Sequence, residues 1–220
     1  MSSKPNIDLL EKLCQTPGIP GREQPIIDIM QSELKGCCDE IKVDNLGNIF
    51  GIKRTSKKNP LKVMIAGHMD EIGFIVSHID EKTGFIRFSP RGGHLPRVLI
   101  HQRVRVYGKG NKEHKGIVET SPLFLDLDNA KKAPEFKAMY IDLGLSASEV
   151  KRSISVGDVI VTDGDFLNFK ESCVSKAFDN RVGCYIVLEV MKKLKSKRLD
   201  VEVVALGSAQ EEVGIRGAWA

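Results

Sequence analysis

The sequence predicts an α/β sheet domain split by an inserted all-β unit. Three observations carry that expectation. Helix-period and strand-period segments alternate over residues 1–71. Residues 72–165 then hold only short strands punctuated by glycine turns, with no long helical pattern. After residue 165 a long amphipathic helix and a continuous apolar strand resume the first texture. The expected domains are therefore residues 1–71 with 166–220, and residues 72–165.

Taken in order, residues 6–14 (NIDLLEKLC) repeat apolar positions at helical spacing behind Asn6, a good N-cap. QTPGIPG at 15–21 ends that helix with two prolines and two glycines. A second helix is expected over 23–35, burying Ile26, Ile27, Ile29, Met30 and Leu34 and stopping at Gly36. The period then changes. IKVDN, NIFGIKR and LKVMIAGH read as strands, the first two joined by a tight turn at Asn45-Leu46-Gly47, and 55–60 as a solvated loop. In the insertion EIGFIVSHI, GFIRFSP, QRVRVYGK, KGIVET and VGDVIV read as strands of a barrel or sandwich. Residues 123–150, rich in Asp, Lys and Ala, are expected to form its long connection. Residues 179–195 form an amphipathic helix whose C-terminal lysines complement the dipole. VEVVALGSA at 201–209 has the apolar run of a buried parallel strand.

Composition narrows the function classes. With 41% hydrophobic and 28% charged residues in 220, the make-up is that of a soluble globular protein able to bury a core. No apolar run approaches the ~20 residues of a membrane-spanning helix, and the charge-interrupted N-terminus is not a secretory signal. A scattered net charge of +4 argues against nucleic acid or an anionic membrane as the main partner. The basic hairpin at 103–116 fits a solvated hairpin better than an RNA-binding face. Five cysteines include the neighbours Cys37 and Cys38, apolar contexts at Cys14 and Cys184, and no CxxC pair. Reduced thiols in a cytoplasmic protein are the plain reading.

Polar, metal-competent groups stand where apolar strands end. VMIAGHMDEIGF delivers His68 and Asp70 at such an end, where ligands gather in open α/β sheets. Residues two apart on an extended chain point to one side, so Asp70 can fix the imidazole tautomer or face the substrate. Taken alone, the short and common HxD motif fits a buried, capped histidine better. ALGSAQEEVGIRGA ends its strand at Ala209 and presents Glu211 and Glu212. Adjacent carboxylates must aim at different targets, so one can ligate a metal while the other handles a proton. A charged helix N-terminus is the competing reading. Asp179 in VSKAFDNRVGC opens the long helix and, by itself, reads as an N-cap.

Together His68, Asp179 and Glu212 offer the donors of a borderline metal such as zinc or cobalt, with Glu211 beside them as a base. The combination resembles the di-metal glutamyl or deblocking aminopeptidases that assemble into tetrahedral particles. The resemblance rests on AGHMDEIGF (66–74), KAFDNRVGC (176–184) and SAQEEVGIRGA (208–218). The GG-x2-PRVL-x3-RV pattern at 92–104 and the KG-x4-SP step at 115–122 add to it. It implies a metallopeptidase-type α/β/α sheet domain split by a PDZ-like dimerisation domain, and two divalent ions, zinc or cobalt, per complete subunit. The implied activity is removal of N-terminal residues from peptides by a homo-oligomer.

By the same resemblance His68 is a ligand of one metal, Asp179 the carboxylate bridging both, and Glu212 a ligand of the other. Glu211 resembles the general base for a metal-activated bridging water, and Asp70 the residue steering His68. The family pattern continues beyond Trp219-Ala220 and there supplies an aspartate and a histidine as further ligands, with much of the specificity pocket. The 220 residues are accordingly expected to be a truncated, inactive form. A non-catalytic assembly subunit and a two-carboxylate glycosidase are the alternatives. His78, His94, His101 and His114 read as surface or turn residues. The insertion is expected to contact neighbouring subunits through Leu95, Val98, Leu99, Leu123 and Phe124.

Overall fold

A computed structural model describes residues 4–120 and 134–220. Helices α1 (Ile7–Gln15) and α2 (Gln24–Leu34) precede strands β1 (Glu40–Val43), β2 (Ile49–Lys53) and β3 (Leu61–His68). There follow β4 (Gly73–Ile79), β5 (Ile86–Arg91), β6 (Arg103–Tyr107), β7 (Glu113–Thr120), β8 (Met139–Asp142), helix α3 (Ala147–Ser153) and β9 (Val159–Thr162). The short pair β10 (Leu167–Asn168) and β11 (Cys173–Val174), helix α4 (Phe178–Leu194) and β12 (Val201–Ser208) complete the order. Two compact units result, one from the residues up to Glu71 with Asp165–Ala220, the other Ile72–Gly164.

In the first unit Asn6 caps α1, its side chain accepting from the Leu9 N–H, and α2 takes Pro25 in its first turn, where proline's missing N–H costs nothing. The four-stranded sheet runs β1-β2-β12-β3. Strand β12 pairs antiparallel with β2 and parallel with β3. The parallel register sets Ser208 opposite His68, so both strands release their polar residues at the same end. Leu13, Met30, Ile49, Cys184, Met191 and Ala205 join the three helices and the sheet in one core. The expectation that β3 is a buried strand fails over its first half. Among the described residues it lies at the sheet edge, pairs with β12 alone, and leaves Leu61, Val63 and Met64 exposed.

The second unit is a closed barrel of order β4-β5-β8-β7-β6-β9. Closure removes the unpaired edges that an open sheet must protect. Phe74, Val76, Phe88, Val104, Val106, Val118 and Ile141 fill it. Asp163 is buried against Arg105 at 2.5 Å, with Lys115 and Arg103 just beyond. Burial opposes the Asp163 carboxylate, but its bond to Arg105 outweighs that and holds it below the usual carboxylate range. The described part of the expected 123–150 connection contains an element missed in the sequence, β8. It also contains the start of α3, whose Ser146–Glu149 capping box was there to be read.

Leu99 is corrected as well. The 3-10 turn Pro96–Val98 delivers it into the barrel core, 3% exposed, and leaves Leu95 and Val98 outside. Leu123 and Phe124 lie outside the described residues. Among the described residues no helix is long and apolar enough to cross a membrane, and the five cysteines form no disulfide.

Candidate active site

The site begins with a close approach. At Gly67, one residue before the end of β3, an added Cβ would lie 2.6 Å from the backbone of Gly183 and Cys184 in α4. Only glycine lets helix and strand come this near, and the contact brings the start of α4 over His68. The Cys184 thiol donates to the His68 carbonyl at 3.2 Å, and burial pushes that thiol up to about 12, so it stays a donor.

Asp179 is not a helix cap. The N-cap position is Ala177, in the left-handed conformation and without a side-chain cap, and Asp179 itself has non-helical φ/ψ of −83° and 105°. Freed from capping, its carboxylate is 88% exposed and reaches His68 Nε2 at 3.0 Å. On the other strand, Gln210 is also left-handed, and Glu211 and Glu212 follow in a 3-10 turn. Glu211 comes within 3.7 Å of His68 Nε2. Non-glycine residues with positive φ persist only where the surroundings enforce them, and here they flank both carboxylate segments.

Asp70 is completely buried and does two things. Its backbone carbonyl lies 3.0 Å from His68 Nδ1, fixing the imidazole with Nε2 outward, while its carboxylate stands 3.6 Å from the same nitrogen. The carboxylate oxygens also accept the backbone N–H groups of Glu211 and Glu212 at 3.0 and 2.9 Å. The structure therefore brings all five sequence-derived residues, His68, Asp70, Asp179, Glu211 and Glu212, into one cluster. His78, His94, His101 and His114 belong to the barrel unit, where His94 stacks on Phe74 and its Nε2 lies 3.0 Å from the Gly73 carbonyl.

The electrostatics follow from this crowding. Burial pulls the His68 imidazole down, but Asp70, Asp179 and Glu211 outweigh it and hold the ring up at about 9. Burial raises the Glu212 carboxyl above its ordinary value; His68 opposes the shift, and Glu211, Asp70 and Asp179 add to it. Asp70 stays below its ordinary value because His68 and two backbone amides overcome its burial. The cluster thus stabilises a positive charge at His68 Nε2. One donor atom each from His68, Glu211 and Glu212 lie within 4.8 Å of one another. Imidazole and carboxylate oxygens that already favour a cation fit a divalent metal ion. Such an ion would displace the imidazole proton.

Sequence reasoning missed the buried charges behind this cluster. Lys176 Nζ meets both Glu71 oxygens at 2.8 Å, and Arg181, with no exposed surface, lies 3.6 Å from Glu71. Arg181 also donates to the carbonyls of Leu13, Thr16 and Gly18, tying the QTPGIPG segment to α4. A signal existed, since Arg181 falls in step with Cys184, Leu188 and Met191 on the buried face of α4.

The chain combines a mixed α/β unit, with histidine and carboxylates at its strand ends, and a six-stranded barrel, and solved aminopeptidases have a similar fold. An aminopeptidase from the archaeon Desulfurococcus kamchatkensis matches with a TM-score of 0.87 at 38% identity, over 96% of this chain and 58% of that one. The TET1 peptidase of Pyrococcus horikoshii, described as assembling into a tetrahedron or a large octahedral shell, matches with a TM-score of 0.84 at 28% identity, over 96% and 63%. The lysyl aminopeptidase of Pyrococcus furiosus is 34% identical over 219 residues, covering 96% of this chain and 61% of its own. The family described as M42 glutamyl aminopeptidase matches residues 47–220, and the chain belongs to that family. It spans about three-fifths of the length of the curated relatives it matches.

Proposed function

We propose that these residues carry most of the catalytic site of a metal-dependent aminopeptidase that removes N-terminal residues from peptides. The observation that carries the reading is the convergence of His68, Asp179, Glu211 and Glu212 at the shared end of β3 and β12. His68, Asp179 and Glu212 would hold two divalent ions, zinc or cobalt, with Asp179 shared between them. Bound there, such ions lower the pKa of water and polarise a carbonyl. Glu211 accepts a proton from the attacking water and passes it to the leaving amine. Asp70 keeps His68 Nε2 aimed at the site through its carbonyl. The free α-ammonium of a peptide suits a cluster of carboxylates.

Two ions sharing one carboxylate want about five protein ligands, by the count of three or more per catalytic ion, and three are named here. Membership of the family does not favour a glycosidase or a non-catalytic subunit. Self-association through the barrel is supported by the exposed Leu95 and Val98 and by the assembly described for the Pyrococcus horikoshii relative. A cytoplasmic location is supported by five unpaired thiols.

Glu211→Gln, in the longest natural form of the protein, tests the central role. Metal content should persist while kcat falls ~10²–10⁴-fold, the usual worth of a general base. Turnover near wild type would refute the base, and loss of metal would make Glu211 a ligand.

A further inference from the structure

Four consecutive backbone amides lead into the carboxylate pair, and a side-chain oxygen takes each one. Asn48 Oδ1 accepts from Ala209 at 2.9 Å and Glu23 Oε1 from Gln210 at 2.9 Å. Asp70 takes the next two, as described. Glu23 is 4% exposed and stands at the N-cap position of α2, yet makes no side-chain cap there. The same oxygen that reaches across 187 residues to Gln210 also accepts the Gly21 N–H at 2.9 Å. Asn48, 1% exposed, uses its amide nitrogen on Asp44 Oδ2 at 2.7 Å and on the Gly217 carbonyl at 2.9 Å. It therefore bridges both arms of the 209–217 segment. The fit is tight, since a Cβ on Gly217 would meet Asn48 Oδ1 at 2.3 Å.

We propose that Glu23 and Asn48 are positioning residues of this site: with Asp70 they clamp the backbone at 209–212 and so aim Glu211 and Glu212 at His68. The inference rests on the reading of Glu212 as a metal donor and Glu211 as a base. Glu211, Glu212, Asp70 and Asp179 repel one another, and a free acidic segment would turn outward into water. Amides anchored to fixed acceptors deny it that escape. They also hold Gln210 in the left-handed conformation, which a residue with a side chain keeps only under constraint.

The test compares Glu23→Ala, Glu23→Gln and Asn48→Ala in the longest natural form of the protein, by Co²⁺ titration and by amide hydrogen exchange at 209–212. Glu23→Ala and Asn48→Ala should weaken Co²⁺ binding ~10–100-fold, as loss of an outer-shell partner does, and speed exchange at Gln210 and Ala209 respectively. Glu23→Gln keeps an oxygen acceptor and should restore both properties, which a role as a buried charge would not allow. Where Glu23→Ala fails to fold, Glu23→Asp, too short to reach Gln210, should show the same losses. Unchanged Co²⁺ affinity and exchange in Glu23→Ala or Glu23→Asp, with a wild-type chain that responds to His68→Ala, overturns the clamp alone. Co²⁺ binding that His68→Ala does not alter overturns the metal site and the clamp with it.

Discussion

Gly67→Ala is the smallest change that tests how the site is built. The new methyl carbon would sit 2.6 Å from the Gly183 carbonyl carbon and the Cys184 nitrogen, where ordinary contact begins near 3.4 Å. Both obstacles are backbone, so the start of α4 must withdraw by about 0.8 Å. The His68–Asp179 bond at 3.0 Å has no room for that displacement and should break. Overpacking of this kind costs about 1–3 kcal/mol. With a urea dependence of about 2 kcal/mol per molar, the unfolding midpoint of the sheet unit should fall by roughly 1 M. Gly93→Ala is the control, since nothing lies within 4 Å of its added Cβ and its φ is not positive. Circular dichroism during urea titration, beside Co²⁺ titration of the folded variant, measures both effects. A Gly67→Ala protein with the wild-type midpoint and wild-type Co²⁺ affinity would refute the claim that this approach sets the geometry.

Two further outcomes concern the barrel. Asp163→Asn should flatten its acid-denaturation limb. The folded pKa lies below the unfolded one, so the carboxylate's contribution is present above about pH 4 and is lost as pH falls through the depressed folded value. An unchanged acid limb, followed by near-ultraviolet dichroism, would refute that account. Replacing residues 72–165 by a short linker should leave a monomeric sheet unit by light scattering. A remnant that keeps the parent's assembly would move the interface elsewhere.

Much of this was legible in the sequence because the signals were local. Asn6, Gly36 and the helical spacing of Ile26, Ile27 and Met30 mark α1 and α2 without reference to anything distant. His68, Asp70, Glu211 and Glu212 were legible for a related reason, since each stands just past an apolar strand, whereas Asp179 by itself read as an N-cap and was singled out only by the family resemblance. What stayed hidden depends on partners far along the chain. Glu23 resembles any helix-start glutamate until β12 ends beside it, and Asn48 any turn residue until Gly217 returns to it. The exposure of Val63 and Met64 is set by strand order, which a run of apolar letters does not encode. Leu99 differs from Leu95 only by one 3-10 turn.

The ties of the site carry a chronology. His68 and Asp179 are 111 positions apart, Lys176 and Glu71 are 105, Asp70 and Glu212 are 142, and Glu23 and Gln210 are 187. The barrel, by contrast, draws every strand from one uninterrupted stretch of about ninety residues, and nearby pairings form before distant ones because less chain must be closed into loops. On a growing chain, β4 to β9 can therefore close while β12 is still unsynthesised. Until residue 212 arrives, Asp70 is a carboxylate whose amide partners do not yet exist. The half-made sheet unit is then the vulnerable species, with β2 and β3 both awaiting β12, and it is there, more than in the finished fold, that chaperones and proteases would find their openings.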